Sequence, residues 1–233
     1  MQYLRKIGFG LLGALGSLAL LCSIAAAAIT NQALVKEGFL SYADTKHLDV
    51  RASEYEQYAK AISAYLDGRS ESMQVPTREE PNAMKPAFSE KENLHMQDVR
   101  GIVNFLKSMR WLGGGFTLAV LGALYLFGKD KRSGLMNEAF RGFAHGAIAL
   151  LALALGIGIW GAVDFDGLFW VFHQAAFAND LWLLNPATDL LVALMPLEFF
   201  AWYAKELLKS LLPVLGIMLC VIIAWYKVGR KEA

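Results

Sequence analysis

The chain has 233 residues, 56% of them hydrophobic and only 18% charged, with a formal net charge of +1. A soluble domain of this length could not hide so much apolar surface, and the near-neutral balance points to neither nucleic acid nor a strongly acidic partner. The two cysteines, Cys22 and Cys220, both fall inside long apolar runs, which excludes a disulfide framework.

Four runs approach the roughly 20 apolar residues that a membrane span needs: residues 7–29, 111–127, 143–163 and 210–226. The first could be read as a signal peptide, with Arg5 and Lys6 ahead of an apolar core and Ala25, Ala26 and Ala27 behind it. That core exceeds the usual signal length of about 7–15 residues, so a retained span is expected. The third run is interrupted only by His145, and Pro213 stands near the start of the fourth, where a helix tolerates proline. The sequence therefore predicts an all-α integral membrane protein with four transmembrane helices, a small and mainly helical extracytoplasmic domain, and an interfacial helical segment. In chain order this gives a cytoplasmic N-terminus with the first span (1–30), the extracytoplasmic domain (31–108), the second span (109–128) and a basic cytoplasmic loop (129–142). The third span (143–163), the interfacial segment (164–209) and the fourth span with a basic tail (210–233) follow.

Positive charge sets the direction of insertion. Arg5 and Lys6, then Lys129, Lys131, Arg132 and Arg141, then Lys227, Arg230 and Lys231 would all lie inside, while residues 164–204 carry five acids and no Lys or Arg. Both termini are accordingly expected in the cytoplasm. Trp111, Trp160, Trp170, Trp182 and Trp202 gather towards the outer boundary, where indoles favour the headgroup layer. Residues 168–203 are too apolar for a free loop and are broken at Pro186 and Pro196, which suggests helices half-sunk in the membrane surface.

Within the outer domain, Tyr55, Tyr58, Ile62, Tyr65 and Leu66 recur at helical spacing over residues 52–66, and Gly68 is a fitting stop. Residues 68–86, with three prolines, read as a loop. A second helix should start at Ser89, where Ser89 and Glu92 form a capping-box pair. Leu94, Ile102, Phe105, Leu106 and Met109 then define an apolar stripe, with His95 in its middle and Asp98 one turn on.

Of the four histidines, His47 lies in a polar loop and is expected to face water. His145 sits within the third span near its cytoplasmic end, suited to a helix contact. His95 and His173 are both outside and both among apolar residues, where a polar side chain needs a reason. Each could be a satisfied structural histidine, but two on one face suit proton transfer near neutral pH. Their spacing is not that of a zinc motif and no cysteine joins them, so no metal and no cofactor are expected.

The run from Ser89 through Glu92, His95 and Asp98 to Val99 resembles the lipoprotein intramolecular transacylases. So does the stretch from Phe172 and His173, through Asn179, Asp180 and Trp182, to Asn185, Pro186, Asp189, Met195 and Pro196. The resemblance covers essentially the whole chain and implies a substrate: a diacylated bacterial lipoprotein, with an S-diacylglyceryl cysteine and a free α-amine. It implies transfer of the sn-2 acyl chain from glycerol oxygen to that amine, giving the lyso-form lipoprotein, with His95 and His173 as the catalytic pair. Membrane lipid is an expected partner, nucleic acid is not, and the sequence leaves the oligomeric state open. Asp98 is a candidate to fix the His95 tautomer. Asp180 or Asp189 is expected to hold the substrate's ammonium or orient His173, with Asn179 and Trp182 as further supporting residues. Two other readings stand beside this one: a metal-dependent membrane-surface hydrolase using the same histidines, and a non-enzymatic membrane assembly factor.

Overall fold

A computed structural model describes residues 2–80, 82–127 and 132–229. Pro81, Lys129, Lys131, Arg230 and Lys231, on which part of the loop and topology reading rests, lie outside the described residues. The chain is mainly helical and divides into two compact units. One comprises Met1–Ile24, Leu106–Ile159 and Leu208–Ala233; the other comprises Ala25–Phe105 and Trp160–Leu207.

In the first unit, helices α1 (Gln2–Ile29), α4 (Glu90–Phe127) and α5 (Arg132–Val163) meet through small residues. A Cβ added at Gly146 would fall on the backbone of Gly10 and Ala14, and one at Gly142 on Phe9. Gly113 meets Ala19 and the Leu15 carbonyl, each 3.2 Å from where its own Cβ would stand. Backbones come this close only where side chains are absent, the usual basis of helix packing in lipid. Large apolar side chains point the other way, with Leu153, Leu155 and Ile159 all exposed on α5. Among the described residues, two helical stretches are long and apolar enough to cross a membrane, Gly8–Ile29 and Ala144–Val163. The runs expected as the second and fourth spans are helical as parts of α4 and of α8 (Leu197–Gly229). His145 is exposed between buried Ala144 and Gly146.

The second unit holds the hydrophobic core. It contains α2 (Gln32–Tyr42), a 3-10 turn (Ala52–Glu54), α3 (Tyr55–Asp67), strands β1 (Gln74–Pro76) and β2 (Met84–Pro86), α6 (Phe165–Ala176) and α7 (Leu190–Leu194). Phe39, Ile62, Val75, Val103 and Leu194 are wholly enclosed, so five separate elements contribute to one core. The α3 helix ends where expected, at Gly68 with φ 81°, a conformation that glycine adopts without steric cost.

Three features depart from the sequence reading. First, α2 was not anticipated; Asn31 caps it, its Oδ1 accepting from Ala33 N at 3.0 Å and Leu34 N at 3.2 Å. Second, residues 68–86 contain an antiparallel pair rather than loop alone, with Gln74 opposite Pro86 and Pro76 opposite Met84. Two three-residue strands with proline at their ends carry no alternating pattern to read. Third, Pro213 lies well inside α8 and not near a helix start. The helix already begins after Pro196, so the fourth apolar run has no N-terminus of its own.

Candidate active site

Helix α4 begins with the expected reciprocal cap. Ser89 N donates to Glu92 Oε2 at 2.7 Å, and Glu92 N donates to Ser89 Oγ at 3.4 Å. The face that turns inward is a different one from the apolar stripe. Glu92, His95, Met96 and Val103 are buried, whereas Leu94 and Phe105 are exposed. His95 belongs to both faces, but the carboxylate of Glu92 also occupies a core position, so ranking residues by hydrophobicity displaces the stripe. Glu92 tolerates burial because both oxygens are used: Oε1 accepts from Leu191 N at 2.6 Å, at the start of α7. The sequence reading identified the cap but missed this second bond, which joins residues 99 positions apart.

His173 stands in the last turn of α6, which Asp164 caps by accepting from Gly167 N at 2.9 Å. Its Nδ1 lies 2.7 Å from the Phe169 carbonyl oxygen. A carbonyl can only accept, so Nδ1 carries the proton and Nε2 presents a lone pair. The His95 and His173 rings stack at 30° with centroids 6.3 Å apart. Aromatic rings enclose them: Phe169 at 4.1 Å and Trp182 at 5.0 Å from His173, and Phe177 at 5.0 Å from His95.

This setting keeps both imidazoles neutral. Burial, helped by repulsion from a second imidazole and opposed by Asp98, pushes His95 down to about 4. Burial also lowers His173, against the hydrogen bond to Phe169. His95 Nδ1 is buried with no hydrogen-bond partner among the described residues. An unmet acceptor costs less there than an unmet donor, so the preferred tautomer carries its proton on Nε2.

The remaining candidates fall into place around this pair. Asp98 does not bond to His95; its Oδ2 accepts from Asn179 Nδ2 at 2.9 Å. Asn179 Oδ1 in turn accepts from Leu181 N at 3.0 Å. Asp189 is occupied in its own turn, accepting from Asn185 N at 2.7 Å and Thr188 Oγ1 at 3.2 Å. Asp180 is exposed and lines a cavity of about 330 Å³ shared with Trp170, Gln174 and Trp182. Neither Asp180 nor Asp189 meets His173 Nδ1, which the Phe169 carbonyl satisfies instead. His47 is exposed as expected, yet its Nε2 lies 2.8 Å from the Pro186 carbonyl oxygen. Among the described residues no three His, Cys, Asp or Glu side chains gather in a metal-binding group.

A family model described as lipoprotein intramolecular transacylase Lit matches residues 11–200. The chain belongs to this family. It is thus an acyltransferase, and its activity is the intramolecular transacylation of lipoproteins. Among solved structures it is similar to the membrane-integral lipoprotein intramolecular transacylase Lit from Bacillus cereus. Identity is 23% and the TM-score 0.63, over 100% of this chain and 98% of that one. A form of the Bacillus cereus protein with a histidine-to-arginine substitution matches at 20% identity and TM-score 0.63, over 100% and 96% of the two chains. A form with histidine changed to alanine matches at 21% and 0.60, over 99% and 96%. The fold of this transacylase is therefore that of a membrane-integral protein. No curated relative matches the chain.

Proposed function

We propose that this transacylase moves the sn-2 acyl chain of an S-diacylglyceryl-cysteine lipoprotein to the same molecule's α-amine, by histidine acid–base chemistry and without an acyl-enzyme. One observation carries the reading: two buried, neutral imidazoles stacked 6.3 Å apart, one with a free Nε2 lone pair. The α-amine attacks the ester carbonyl carbon, forming a C–N bond and a tetrahedral oxyanion. His173 Nε2 takes the proton that nitrogen must shed. The glycerol C–O bond then breaks, and the leaving oxygen receives that proton from the His173 imidazolium. Ester and amine become amide and alcohol, with no water consumed. His95 contributes differently: pushed down to about 4, it is a poor imidazolium at neutral pH, and its neutral Nε2–H suits it to donate to the oxyanion. Nucleophile and ester share one molecule, so positioning supplies much of the acceleration.

The same reading puts the protein in the bacterial cytoplasmic membrane with four spans, both termini inside and the histidines on the outer face. Supporting it are the Lys/Arg distribution, the two stretches able to span, and the small-residue helix contacts of the first unit. The acyl chains then stay in lipid while the headgroup reaches the histidines.

The test is mass spectrometry of lipoprotein N-terminal peptides processed by wild type, His95→Ala, His173→Ala and the double variant. Each single change should lower turnover by about 10²–10⁴-fold, and the double change by little more than either alone, because the pair acts as a unit. Full activity in His173→Ala would overturn the mechanism.

A further inference from the structure

The loop between α6 and α7 is held at two points in front of His173. Asn179 donates to Asp98 on α4 at 2.9 Å, and the Leu183 carbonyl accepts from Lys91 Nζ at 2.6 Å. Between these ties stand Asp180 and Trp182. Trp182 packs against the His173 ring at 5.0 Å and meets Trp170 edge-on at 4.9 Å and 75°. The cavity of about 330 Å³ bounded by Trp170, Gln174, Asn179, Asp180 and Trp182 therefore shares the Trp182 wall with the imidazole.

Its chemistry is selective. Asp180 makes no side-chain hydrogen bond or ion pair among the described residues, whereas Asp98 and Asp189 spend their carboxylates on Asn179 and on Asn185 and Thr188. Lys91, the cation bonded to this loop, is directed to a carbonyl rather than to Asp180. Residues 164–204 supply no Lys or Arg of their own. A carboxylate with no cation partner among the described residues, in a cavity that two indoles also line, is the combination that recognises ammonium groups: the carboxylate attracts the charge and the indole faces stabilise it.

We propose that this cavity is the seat of the substrate's protonated α-amine, with Asp180 as its counter-ion, Trp170 and Trp182 as its walls, and Asn179 and Asp98 as the positioning clasp. The seat rests on the transacylase reading above. It names the group recognised before a first proton passes to water; the neutral amine then moves from the seat to the ester, where His173 takes the second proton as the C–N bond forms. It also gives the enzyme a means of rejecting lipoproteins whose amine is already acylated, since an amide carries no charge.

The test uses two unreactive lipopeptides in mixed micelles, both with the S-diacylglyceryl cysteine: one N,N,N-trimethylated and permanently charged, the other N-acetylated and neutral. Wild type should bind the charged analogue about tenfold more tightly, the sum of a solvent-exposed ion pair and cation–π contacts. Asp180→Asn should cut that preference to the small residue that the two indoles alone supply, while binding the neutral analogue as wild type does. Equal affinity for the two analogues in wild type, or a preference undiminished by Asp180→Asn, overturns the seat. Because neither analogue reacts, the result is independent of the histidine chemistry, which fails separately if His173→Ala turns over normally.

Discussion

Acid should loosen this fold through His95, in a pH window that can be stated in advance. The folded ring is held down to about 4 against an ordinary 6.5, and only 7% of the residue is exposed. Between those values the unfolded chain binds a proton that the folded chain refuses. Stability from this group is therefore complete above about pH 6.5 and is lost as pH falls towards 4. The whole interval is worth about 3 kcal/mol at roughly 1.36 kcal/mol per pKa unit. About 2 kcal/mol of it should be gone by pH 5, with His173 adding to the loss in the same direction. Glu54 does not contaminate this window: hydrogen bonding from Arg78 holds it down to about 2, so its contribution fades only below the ordinary carboxylate range. The assay is thermal unfolding in detergent at pH 7.5 and pH 5 for wild type and His95→Gln. Wild type should lose of the order of 5 °C. His95→Gln, whose amide does not titrate, should lose distinctly less. An identical pH response in the two proteins would refute the argument, because it would mean that the imidazole is not buried as described.

Three further outcomes are expected. Gly146→Leu should destabilise the first unit by more than about 2 kcal/mol, since its side chain has only the Gly10 and Ala14 backbone to enter; detergent melts against Gly156→Leu, a glycine facing open space, check it. In intact cells, an impermeant thiol reagent should label Gln74→Cys and spare Lys131→Cys, and the reverse pattern would defeat the proposed orientation. Added chelator should leave turnover unchanged, as measured by the mass-spectrometric assay; a loss restored by a divalent cation would favour metal chemistry at the same histidines.

What the sequence made legible was local. Gly68 as a helix stop, Ser89 with Glu92 as a helix start, and the inward aim of His95 each follow from residues within a turn or two. What stayed hidden was long-range or composed of polar burial. The Asp98–Asn179 bond joins residues 81 apart, and the Glu92–Leu191 bond 99 apart; no periodicity within one helix can announce either. The inward face of α4 shares His95 with the apolar stripe but is turned towards Glu92, Met96 and Val103, because a buried carboxylate stands where an apolar ranking looks for Leu94 and Phe105. The bond from His173 Nδ1 to the Phe169 carbonyl, one helical turn earlier, depends on the histidine rotamer and leaves no mark in the residue pattern.

Glu92 ties these observations together and gives one more expectation. Its carboxylate satisfies two backbone donors, Ser89 N and Leu191 N, at the starts of two helices. His95 lies one turn along α4 from it, so the first turn of α4 and the start of α7 are fixed by the same group. Glu92→Ala would leave the Leu191 N–H without an acceptor in a buried place, at about 1–3 kcal/mol, and would uncap the Ser89 N–H at the exposed start of α4. Glu92→Gln keeps one acceptor oxygen but turns an amide NH₂ towards the other N–H, so it should recover only part of the loss. If Glu92 merely stabilises, melting temperature should fall in both variants while turnover per folded molecule stays constant. If it also sets the His95 position, kcat should fall with the melting temperature in the order wild type, Gln, Ala while KM holds. The second outcome is expected, because His95 Nδ1 has no hydrogen-bond partner among the described residues and the helix start is what holds its ring in register with His173. An unchanged kcat in folded Glu92→Ala would show that packing against Phe177 alone suffices.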